Sequence, residues 1–439
     1  MSLRRRLLIL MQGLVAGQPL PLRLVFWDGD VFDFAARPRV TLTIRSPSVV
    51  RAFVSGRVAR LADAYVAGDL AVDGAIEDIL GTGISLAERM GRLSRLAPLM
   101  KPLQWVAFRH SKRNDAAAIA HHYDISNDFY RLWLDRGMIY SCAYFRSGAE
   151  DIDAAQQQKI DHICRKLHLK SRDRVLDIGC GWDGLLQRAA ETYDITGIGI
   201  TNSPAQHRYA QERIAAAGLN DRIEIRLQDY RDLPGESVFD KIVSVGMYEH
   251  VDLDNLPLYF GTIARLLKPG GILLNQGIIN TDADGRSQGP PGGEFINRYV
   301  FPGGELPHLP RVLQEIARSR LEAVDVEDLR PHYAQTLLLW VRRLETSRQA
   351  AIDAAGPERY RIWRIYLAGM THAFDRGWLS VAQVLAYKPE AGHPAARPWS
   401  RDYQYRTDTE PALASSLDWC ATPGNGASAA NGTLSLTAF

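Results

Sequence analysis

The stretch VLDIGCGWDG at 175–184 constrains the fold of this chain more than any other feature. It reads as a buried strand that ends near an acidic residue and leads into a glycine-rich turn and a helix. Such a unit places backbone N–H groups against a bound ligand. A phosphate-binding P-loop needs Lys followed by Ser or Thr, and this stretch contains neither. The G-x-G-x-x-G spacing of dinucleotide-binding turns is present, so spacing alone leaves the ligand open.

Asp177 favours one kind of ligand over the others. A carboxylate just before the first glycine would repel a pyrophosphate, but it suits a cationic amino-acid ligand. S-adenosylmethionine carries a positive sulfonium and a positive amino group, and it has no phosphate. The stretches GITNSPAQ at 199–206 and LQDY at 227–230 supply two further turns, which we expect to meet the ribose and the adenine. The sequence therefore predicts a methyltransferase sheet.

Strand and helix patterns alternate through residues 109–395. The predicted strands are RVLDIG, ITGIGI, IEIRLQD, FDKIVSVG and GGILLNQGI, each separated from the next by a helical stretch. This alternation predicts an α/β fold with a doubly wound, mostly parallel sheet, of the class I S-adenosylmethionine-dependent methyltransferase type. Residues 1–108 predict a small α+β domain, with strands and a DG turn over 20–55 and helices over 56–108. Residues 396–439 form a tail that we expect to be disordered toward its end.

Composition narrows the partners and the compartment. A net charge of +2 gives no field for nucleic acid, and four cysteines without a CxxC pair favour a reducing cytoplasm and predict no metal site. No run of 18 apolar residues is present. MSLRRRLLILMQGLVAG predicts an N-terminal amphipathic helix. Basic clusters at 4–6 and 109–113 fit either a solvated face or the anionic inner face of a membrane, where we expect peripheral association.

An ordered series of motifs resembles one family. The chain is similar to the cyclopropane fatty-acyl-phospholipid and mycolic acid cyclopropane synthases from about residue 115 to 395, and AYVAGDLAVDG at 64–74 resembles the small N-terminal domain of the bacterial phospholipid-acting members. The matching motifs are HHYDISNDFYRLWLD (121–135), MIYSCAYF (138–145), VLDIGCGWDG, GITNSPAQ, GMYEHV (246–251), FINRYVFPGGELP (295–307) and HYAQTLLLW (332–340).

This resemblance implies methyl transfer from S-adenosylmethionine to the double bond of an unsaturated phospholipid acyl chain. A carbocation follows, and bound bicarbonate takes its proton as a cyclopropane ring closes. The cation needs aromatic walls and a dry site. A homodimer is a further expectation.

Two sets of site residues follow from the resemblance. The residues implied to bind S-adenosylmethionine are Tyr140, Ser141, Asp177, Gly179, Cys180, Gly181, Thr201, Asn202, Gln206, Asp229 and Tyr230. The residues implied to hold bicarbonate and serve catalysis are Cys142, Glu249, Gln276, Ile278 and Tyr333.

Gln276 departs from the family pattern, which has His at this position of the fifth strand. A glutamine amide donates a hydrogen bond but cannot take up a proton. The carbocation could therefore lose a different proton and give a methyl-branched or methylene product. A small-amine N-methyltransferase and a catalytically silent lipid-binding protein are two further alternatives. Asp183 stands where the family has Gly, and we interpret it as a residue tolerated at a helix start.

Overall fold

The computed structural model describes residues 2–15, 19–55, 58–94, 126–282, 293–301, 304–390 and 397–405. Within it, Met1–Ala395 form one compact unit and Ala396–Phe439 another. The predicted boundary at 108/109, the basic cluster at 109–113 and most of the tail lie outside the described residues, so those expectations stay predictions.

A small four-stranded sheet forms the N-terminal part of the chain, in the order β2-β1-β3-β4. Strands β1 (Leu22–Phe26) and β2 (Val31–Asp33) are antiparallel across the predicted DG turn, whose Gly29 has φ 86°. Strand β3 (Val40–Ile44) runs parallel to β1. The helices here are α1 (Leu3–Val15), α2 (Pro47–Val54), α3 (Val58–Ala67) and α4 (Ile76–Ser94).

Helix α1 confirms the expected amphipathic pattern, and it buries its apolar side in the protein. Leu7, Met11 and Leu14 lie on one face and pack into the core of the small sheet. One expectation here was wrong. Leu70–Asp73, within a stretch predicted as helical, forms β4 antiparallel to β3, because Gly68 (φ 87°) ends α3 and redirects the chain.

The large sheet has seven strands in the order β10-β11-β9-β8-β5-β6-β7, and the five predicted strands pair in parallel. Successive residues of β5 enter opposite cores, since Val175 packs in one apolar cluster and Leu176 in the other. This confirms the doubly wound, mostly parallel fold. The five strands are β5 (Arg174–Ile178), β6 (Thr196–Thr201), β7 (Ile223–Leu227), β8 (Phe239–Val245) and β9 (Leu267–Asn280).

An antiparallel pair extends one edge of this sheet. Strand β11 (Leu379–Tyr387) is buried along its whole length and lies between β9 and β10 (Glu322–Asp328). The remaining helices are α5 (Asn127–Arg131), α6 (Ile152–Lys166), α7 (Gly184–Tyr193), α8 (Pro204–Ala216), α9 (Leu256–Leu266), α10 (Gly293–Tyr299), α11 (Leu309–Arg318), α12 (Arg330–Thr346), α13 (Arg348–Asp375) and α14 (Asp402–Tyr405), with short 3-10 turns at Tyr230–Asp232 and Tyr248–His250.

Helix α13 connects the two sheets. It bends where Gly356 (φ 83°) precedes Pro357. Beyond the bend, Arg364 reaches the small sheet by donating from Nη1 to the carbonyl of Val72 at 2.9 Å, whereas Trp363 packs in the core of the large unit. One side of the helix therefore contacts the small sheet, and another side packs in the apolar core that contains Trp363.

Candidate active site

One cavity opens at the carboxyl ends of β5, β6 and β8, where the parallel strands of such a fold bind their ligands. Gly179 and Gly181 line it with φ 86° and 58°, so both need the left-handed backbone that glycine adopts without strain. Ten of the eleven residues expected at the cofactor line this cavity: Tyr140, Ser141, Asp177, Gly179, Cys180, Gly181, Thr201, Asn202, Gln206 and Tyr230.

Asp229 is the exception, since it does not line the cavity. Its carboxylate pairs with Arg231 at 2.7 Å and accepts a hydrogen bond at 3.3 Å from Asn202, which does line the cavity. Burial tends to raise the pKa of Asp229, but the hydrogen bonds from Arg231 outweigh it and lower that pKa. Asp229 thus orients Asn202, and its direct contact with a cofactor stays a prediction.

The carboxyl of Asp177 is enclosed at the base of this cavity. Its side chain is 3% exposed, and Oδ1 has no hydrogen-bond partner in the described part of the chain. Burial raises the pKa of Asp177 to about 7, against the opposing charge of Lys159. A buried, unpartnered carboxylate oxygen is satisfied by an ammonium group, so the site fits the amino group of S-adenosylmethionine.

Lys159 is a cavity residue that the sequence analysis did not identify. It is 2% exposed, and its Nζ donates to Ser141 Oγ at 2.9 Å. Burial lowers the pKa of Lys159 to about 8, while the negative charges of Asp135 and Asp177 oppose that shift. A buried cation beside a predicted cofactor residue complements a carboxylate. The sequence signal that could have identified Lys159 is its position on the apolar side of α6, directly before Ile160.

The segment Met138–Phe145, which carries the YSC motif, is held by hydrogen bonds to its backbone. The carboxylate of Asp135 accepts from the N–H groups of Gly137 at 2.7 Å and Ile139 at 2.8 Å. Gln156 on α6 donates from Nε2 to the carbonyl of Ser141 at 2.9 Å. These contacts place Tyr140 and Ser141 at the cavity wall.

The five candidate catalytic residues do not line the cofactor cavity, but strand pairing and hydrogen bonds together connect four of them. Glu249 Oε1 accepts from the N–H of Ile278 at 2.7 Å. Ile278 pairs across the sheet with Val381, whose carbonyl accepts from the N–H of Leu329 at 2.8 Å. The carbonyl of Leu329 in turn accepts from the N–H of Tyr333 at 3.0 Å and from Cys142 Sγ at 3.8 Å.

Glu249 is the carboxylic acid of this group. Burial raises the pKa of its carboxyl to about 7, although the hydrogen bond from Ile278 works in the opposite direction. The second oxygen, Oε2, is buried and has no partner among the described residues. Near neutral pH this carboxyl exchanges a proton readily and has one oxygen available for a small polar ligand.

Gln276 lies two residues before Ile278 on β9, so both side chains are on the same face of the strand. It is 2% exposed, and its Oε1 accepts from Gln383 Nε2 at 2.8 Å across the register pair with β11. This contact fixes the carbonyl end of Gln276 and leaves its amide N–H₂ as the end that can donate. Gln383 was not identified from the sequence, because its partner lies 107 positions away in the chain.

Cys142 does not resemble a nucleophile. Its side chain is 1% exposed, and burial raises the pKa of the thiol far above its ordinary range, so it stays protonated. Tyr333 packs edge-on to Trp340 and lies 4.6 Å from the ring centre of Phe374. Both residues therefore contribute shape and hydrogen bonds to this part of the molecule.

A cluster of aromatic side chains adjoins the cofactor cavity. The ring of Tyr140, which lines the cavity, lies 5.3 Å from Trp340, 5.4 Å from Trp133 and 5.8 Å from Trp363. The indole Nε1 atoms of Trp133 and Trp340 are buried without a partner in the described part of the chain. Aromatic rings of this kind form an apolar, electron-rich surface, which is the kind of surface that can stabilise a cation.

Asp183 occupies the helix start where it was expected, but its carboxyl makes no capping hydrogen bond. The residue is fully buried with φ 64°, and neither carboxylate oxygen has a partner among the described residues. Burial and the nearby charge of Asp177 raise its pKa well above the ordinary value. Asp183 is therefore a strained, buried acid at the edge of the cofactor site.

Comparison with known proteins identifies the family. The model of the mycolic acid cyclopropane synthetase family matches residues 110–384. This chain belongs to that family. A second family model, for a domain of unknown function, matches residues 10–91.

Among sequence relatives, a Pseudomonas putida protein named probable fatty acid methyltransferase is 44% identical over 387 residues, covering 88% of this chain and 97% of the relative. The cyclopropane-fatty-acyl-phospholipid synthase of Escherichia coli K12 is 39% identical over 60% of this chain and 66% of its own length.

A solved structure of the mycolic acid cyclopropane synthase CmaA1, complexed with SAH and CTAB, is 33% identical with a TM-score of 0.59. It covers 62% of this chain and 98% of that one. The chain is thus an S-adenosylmethionine-dependent methyltransferase of the cyclopropane synthase family. A coclaurine N-methyltransferase structure, 19% identical with a TM-score of 0.56, shares the fold alone.

The described residues contain no helix long and apolar enough to cross a membrane. Among them no group of three or more His, Cys, Asp or Glu is arranged to hold a metal ion.

Proposed function

We propose that this methyltransferase acts on the double bond of an unsaturated phospholipid acyl chain and forms a cyclopropane fatty acid. One observation carries the proposal. The buried acid Glu249, with Oε2 unpartnered among the described residues, is joined through Ile278 to the strand that bears Gln276, and its neighbour His250 lines the cofactor cavity. Tyr366 connects Glu249 to the cofactor cavity. It forms a hydrogen bond with Tyr140, and burial together with the negative charge of Glu249 raises its pKa.

The residues that line the cofactor cavity are placed to bind S-adenosylmethionine and to orient it. When bound, S-adenosylmethionine supplies an electrophilic methyl group. Asp177 is placed to bind its amino group, and Lys159, with Ser141, is placed to bind its carboxylate. Holding both ends of the amino-acid part fixes the direction of the methyl group, which an isolated alkene, as a weak nucleophile, requires.

The aromatic residues stabilise the cation. As the alkene π electrons form the new C–C bond, positive charge develops on the neighbouring carbon of the acyl chain. The rings of Tyr140, Trp133 and Trp340 present π faces and exclude water, which would otherwise add to the cation. Ring closure then needs a base that removes one proton from the transferred methyl group.

The polar residues hold that base. Bicarbonate fits the site because Glu249 offers an unpartnered buried oxygen and a pKa near 7, so its protonated form can donate a hydrogen bond to an anion. Gln276 adds an amide donor, oriented by Gln383. The side chain of Gln276 cannot itself accept the proton, so proton removal depends on the bound anion.

The product distinguishes the proposal from its alternatives. The purified protein is incubated with S-adenosylmethionine carrying a CD₃ methyl group and with vesicles of dioleoyl phosphatidylglycerol, and the acyl chains are analysed by mass spectrometry. A ring keeps two of the three deuterium atoms and resists catalytic hydrogenation. A methylene branch also keeps two but is hydrogenated, and a methyl branch formed by loss of a proton from the acyl chain keeps all three and retains a double bond that is hydrogenated. Labelling of small amines with no labelling of the lipid would reject the proposal.

Gln276 provides the test of bicarbonate. A neutral hydrogen bond contributes about 0.5–1.5 kcal/mol and one from a charged donor about 1.5–3 kcal/mol. We therefore expect Gln276→His to lower the bicarbonate concentration that half-saturates activity by about tenfold. Gln383→Leu should raise it, because Gln276 then loses its orienting contact. Unchanged bicarbonate dependence in both variants would mean that another group takes the proton.

We further propose that the substrate is taken from a bilayer surface, with the protein on the cytoplasmic side of the membrane. The exposed side of α1 supports this, since Arg5, Arg6 and Ile9 face solvent there. Arg4 does not belong to this surface, because it pairs with Asp28 and Asp30. A homodimer stays a prediction that light scattering of the purified protein can test.

A further inference from the structure

We propose that a groove between the small sheet and α13 is a binding site for a phosphate group. Four arginines line this groove: Arg45, Arg348, Arg361 and Arg364. Arg45 follows β3, and the other three come from α13, more than 300 positions later in the chain. We call these residues the arginine groove. It is separate from the cofactor cavity, with which it shares no lining residue.

One of the four arginines is already neutralised. Arg364 is 8% exposed and pairs with Glu345 through Nε at 2.7 Å and Nη2 at 3.0 Å. Its Nη1 donates to Tyr65 Oη at 3.1 Å and to the carbonyl of Val72 at 2.9 Å. These four hydrogen bonds make Arg364 a structural connection between α13 and the small sheet.

In the described part of the chain, the other three guanidinium groups contact neutral groups. Arg361 donates from Nε to the carbonyl of Val66 at 2.7 Å, and Arg45 from Nη1 to that of Gly68 at 3.3 Å. Arg348 lies over the ring of Tyr360 at 5.8 Å. Within the described residues none of the three has a carboxylate at ion-pair distance. Asp73 is the one acidic side chain among the lining residues.

Three guanidinium groups that form no ion pair among the described residues line one groove, and their mutual repulsion is relieved when an anion lies between them. Each presents planar N–H donors that match the oxygens of a phosphate, and several arginines together are the usual recognition element for that group. Gly68 lines the groove in a left-handed backbone conformation that favours glycine. Its φ is 87°, and the guanidinium of Arg361 lies 3.6 Å from the point that a Cβ would occupy.

The position of the groove suggests the source of the phosphate. Trp363 and Tyr366, on the other side of α13, belong to the aromatic cluster near the proposed reaction site. A phospholipid could therefore place its headgroup phosphate on one side of this helix and its acyl chain on the other. This identification rests on the proposed function, whereas the phosphate site itself does not.

The test combines binding and turnover. The double variant Arg45→Gln/Arg348→Gln changes two exposed side chains, so the fold should persist, which thermal melting checks. The matched control is Arg208→Gln, an exposed arginine of α8 outside the groove. Calorimetry with glycerol 3-phosphate and inorganic phosphate measures binding. Methyl transfer is compared between dioleoyl phosphatidylglycerol vesicles and methyl oleate, which has the same acyl chain without a phosphate.

We expect the double variant to bind glycerol 3-phosphate at least tenfold more weakly than the wild type, and the control to bind it normally. If the phosphate belongs to a lipid headgroup, kcat/KM for the vesicles falls at least tenfold while that for methyl oleate is unchanged. If the ligand is a free phosphate, binding is lost but both kcat/KM values persist. Equal binding of glycerol 3-phosphate by wild type and double variant would overturn the phosphate site, even if methyl transfer to lipid is observed. Absence of lipid methylation with binding intact would reject the proposed function alone.

Discussion

The cofactor cavity is lined by two buried side chains of opposite charge, Lys159 and Asp177. Burial lowers the pKa of Lys159 to about 8 and raises the pKa of Asp177 to about 7. S-adenosylmethionine binding needs the charged form of both, so we expect its affinity to be highest between these values. Below about pH 7 Asp177 takes up a proton, and above about pH 8 Lys159 loses one.

Replacement of Lys159 tests this assignment. A hydrogen bond to a charged group contributes about 1.5–3 kcal/mol, so Lys159→Met should weaken S-adenosylmethionine binding roughly tenfold or more. The amino group of the cofactor also titrates near pH 8. The comparison is therefore between variants: Lys159→Met should lose part of the alkaline decline in affinity, and Lys159→Arg should retain binding to higher pH.

Calorimetry from pH 6 to 9 measures these affinities, with the exposed Lys170→Met as the control. If Lys159→Met bound the cofactor like the control at every pH, Lys159 would be a structural residue only.

Asp183 is a residue whose removal should stabilise the protein. Its carboxyl has no partner among the described residues, and its φ of 64° suits glycine. We expect Asp183→Gly to raise the free energy of unfolding at pH 8 by about 1–3 kcal/mol, the desolvation cost of an unpaired buried polar group.

The effect of Asp183 on the free energy of unfolding depends on pH. The pKa of Asp183 is raised in the folded state, whereas the unfolded chain titrates near 3.9. The wild type therefore loses stability as pH rises above about 4, and the advantage of Asp183→Gly should shrink as pH falls toward 4. Denaturant melts at several pH values measure this, with the exposed Asp221→Asn as the control. A constant difference across pH would assign the effect to the backbone instead of the charge.

At the scale of elements, β9 and the short helical turn Tyr248–His250 are packed against each other without spare room. A Cβ on Gly277 would lie 2.4 Å from Cζ of the buried Tyr248, the neighbour of Glu249. We expect Gly277→Ala to displace this turn, to cost about 1–3 kcal/mol of stability and to lower methyl transfer at least tenfold.

Gly261→Ala is the matched control, because a Cβ there meets nothing within 4 Å inside α9. Alanine is a better helix former than glycine, so this variant should be neutral or more stable by roughly 0.5–1 kcal/mol. Melting temperatures and initial rates of both variants decide the matter. Wild-type activity in Gly277→Ala would show that the position of Glu249 is not critical.

At the scale of the whole molecule, one side of α1 packs into the protein core and the other side is exposed to solvent. Arg5 and Arg6 are exposed, and each basic residue near an anionic bilayer contributes about 1 kcal/mol. We expect flotation with phosphatidylglycerol vesicles that declines as salt rises, and roughly tenfold weaker binding by Arg5→Gln/Arg6→Gln. The control is Arg208→Gln/Arg320→Gln, two exposed arginines elsewhere. Binding that ignores both lipid charge and ionic strength would contradict a charged docking surface.

The amino-acid sequence by itself determined the features that depend on neighbours in the chain. Strands β5 to β9 were predictable because each is an apolar run bounded by turn residues, and the glycine turn after β5 because its spacing lies within ten residues. The amphipathic helix α1 follows from side chains that repeat with the helical period. Ten of the residues that the resemblance implied at the cofactor line one cavity, because they belong to such local motifs.

Only the tertiary structure decided the features that join distant segments. The pair Gln276–Gln383, the buried charge of Lys159 opposite Asp177 and the arginine groove each combine residues from separate elements. The antiparallel strand β11 was missed because it is buried on both faces, so its sequence shows no alternation of apolar and polar residues. Burial and hydrogen-bond partners determine the pKa values and the unpartnered polar atoms of the site. Both arise from packing between distant segments, so local sequence patterns could not specify them.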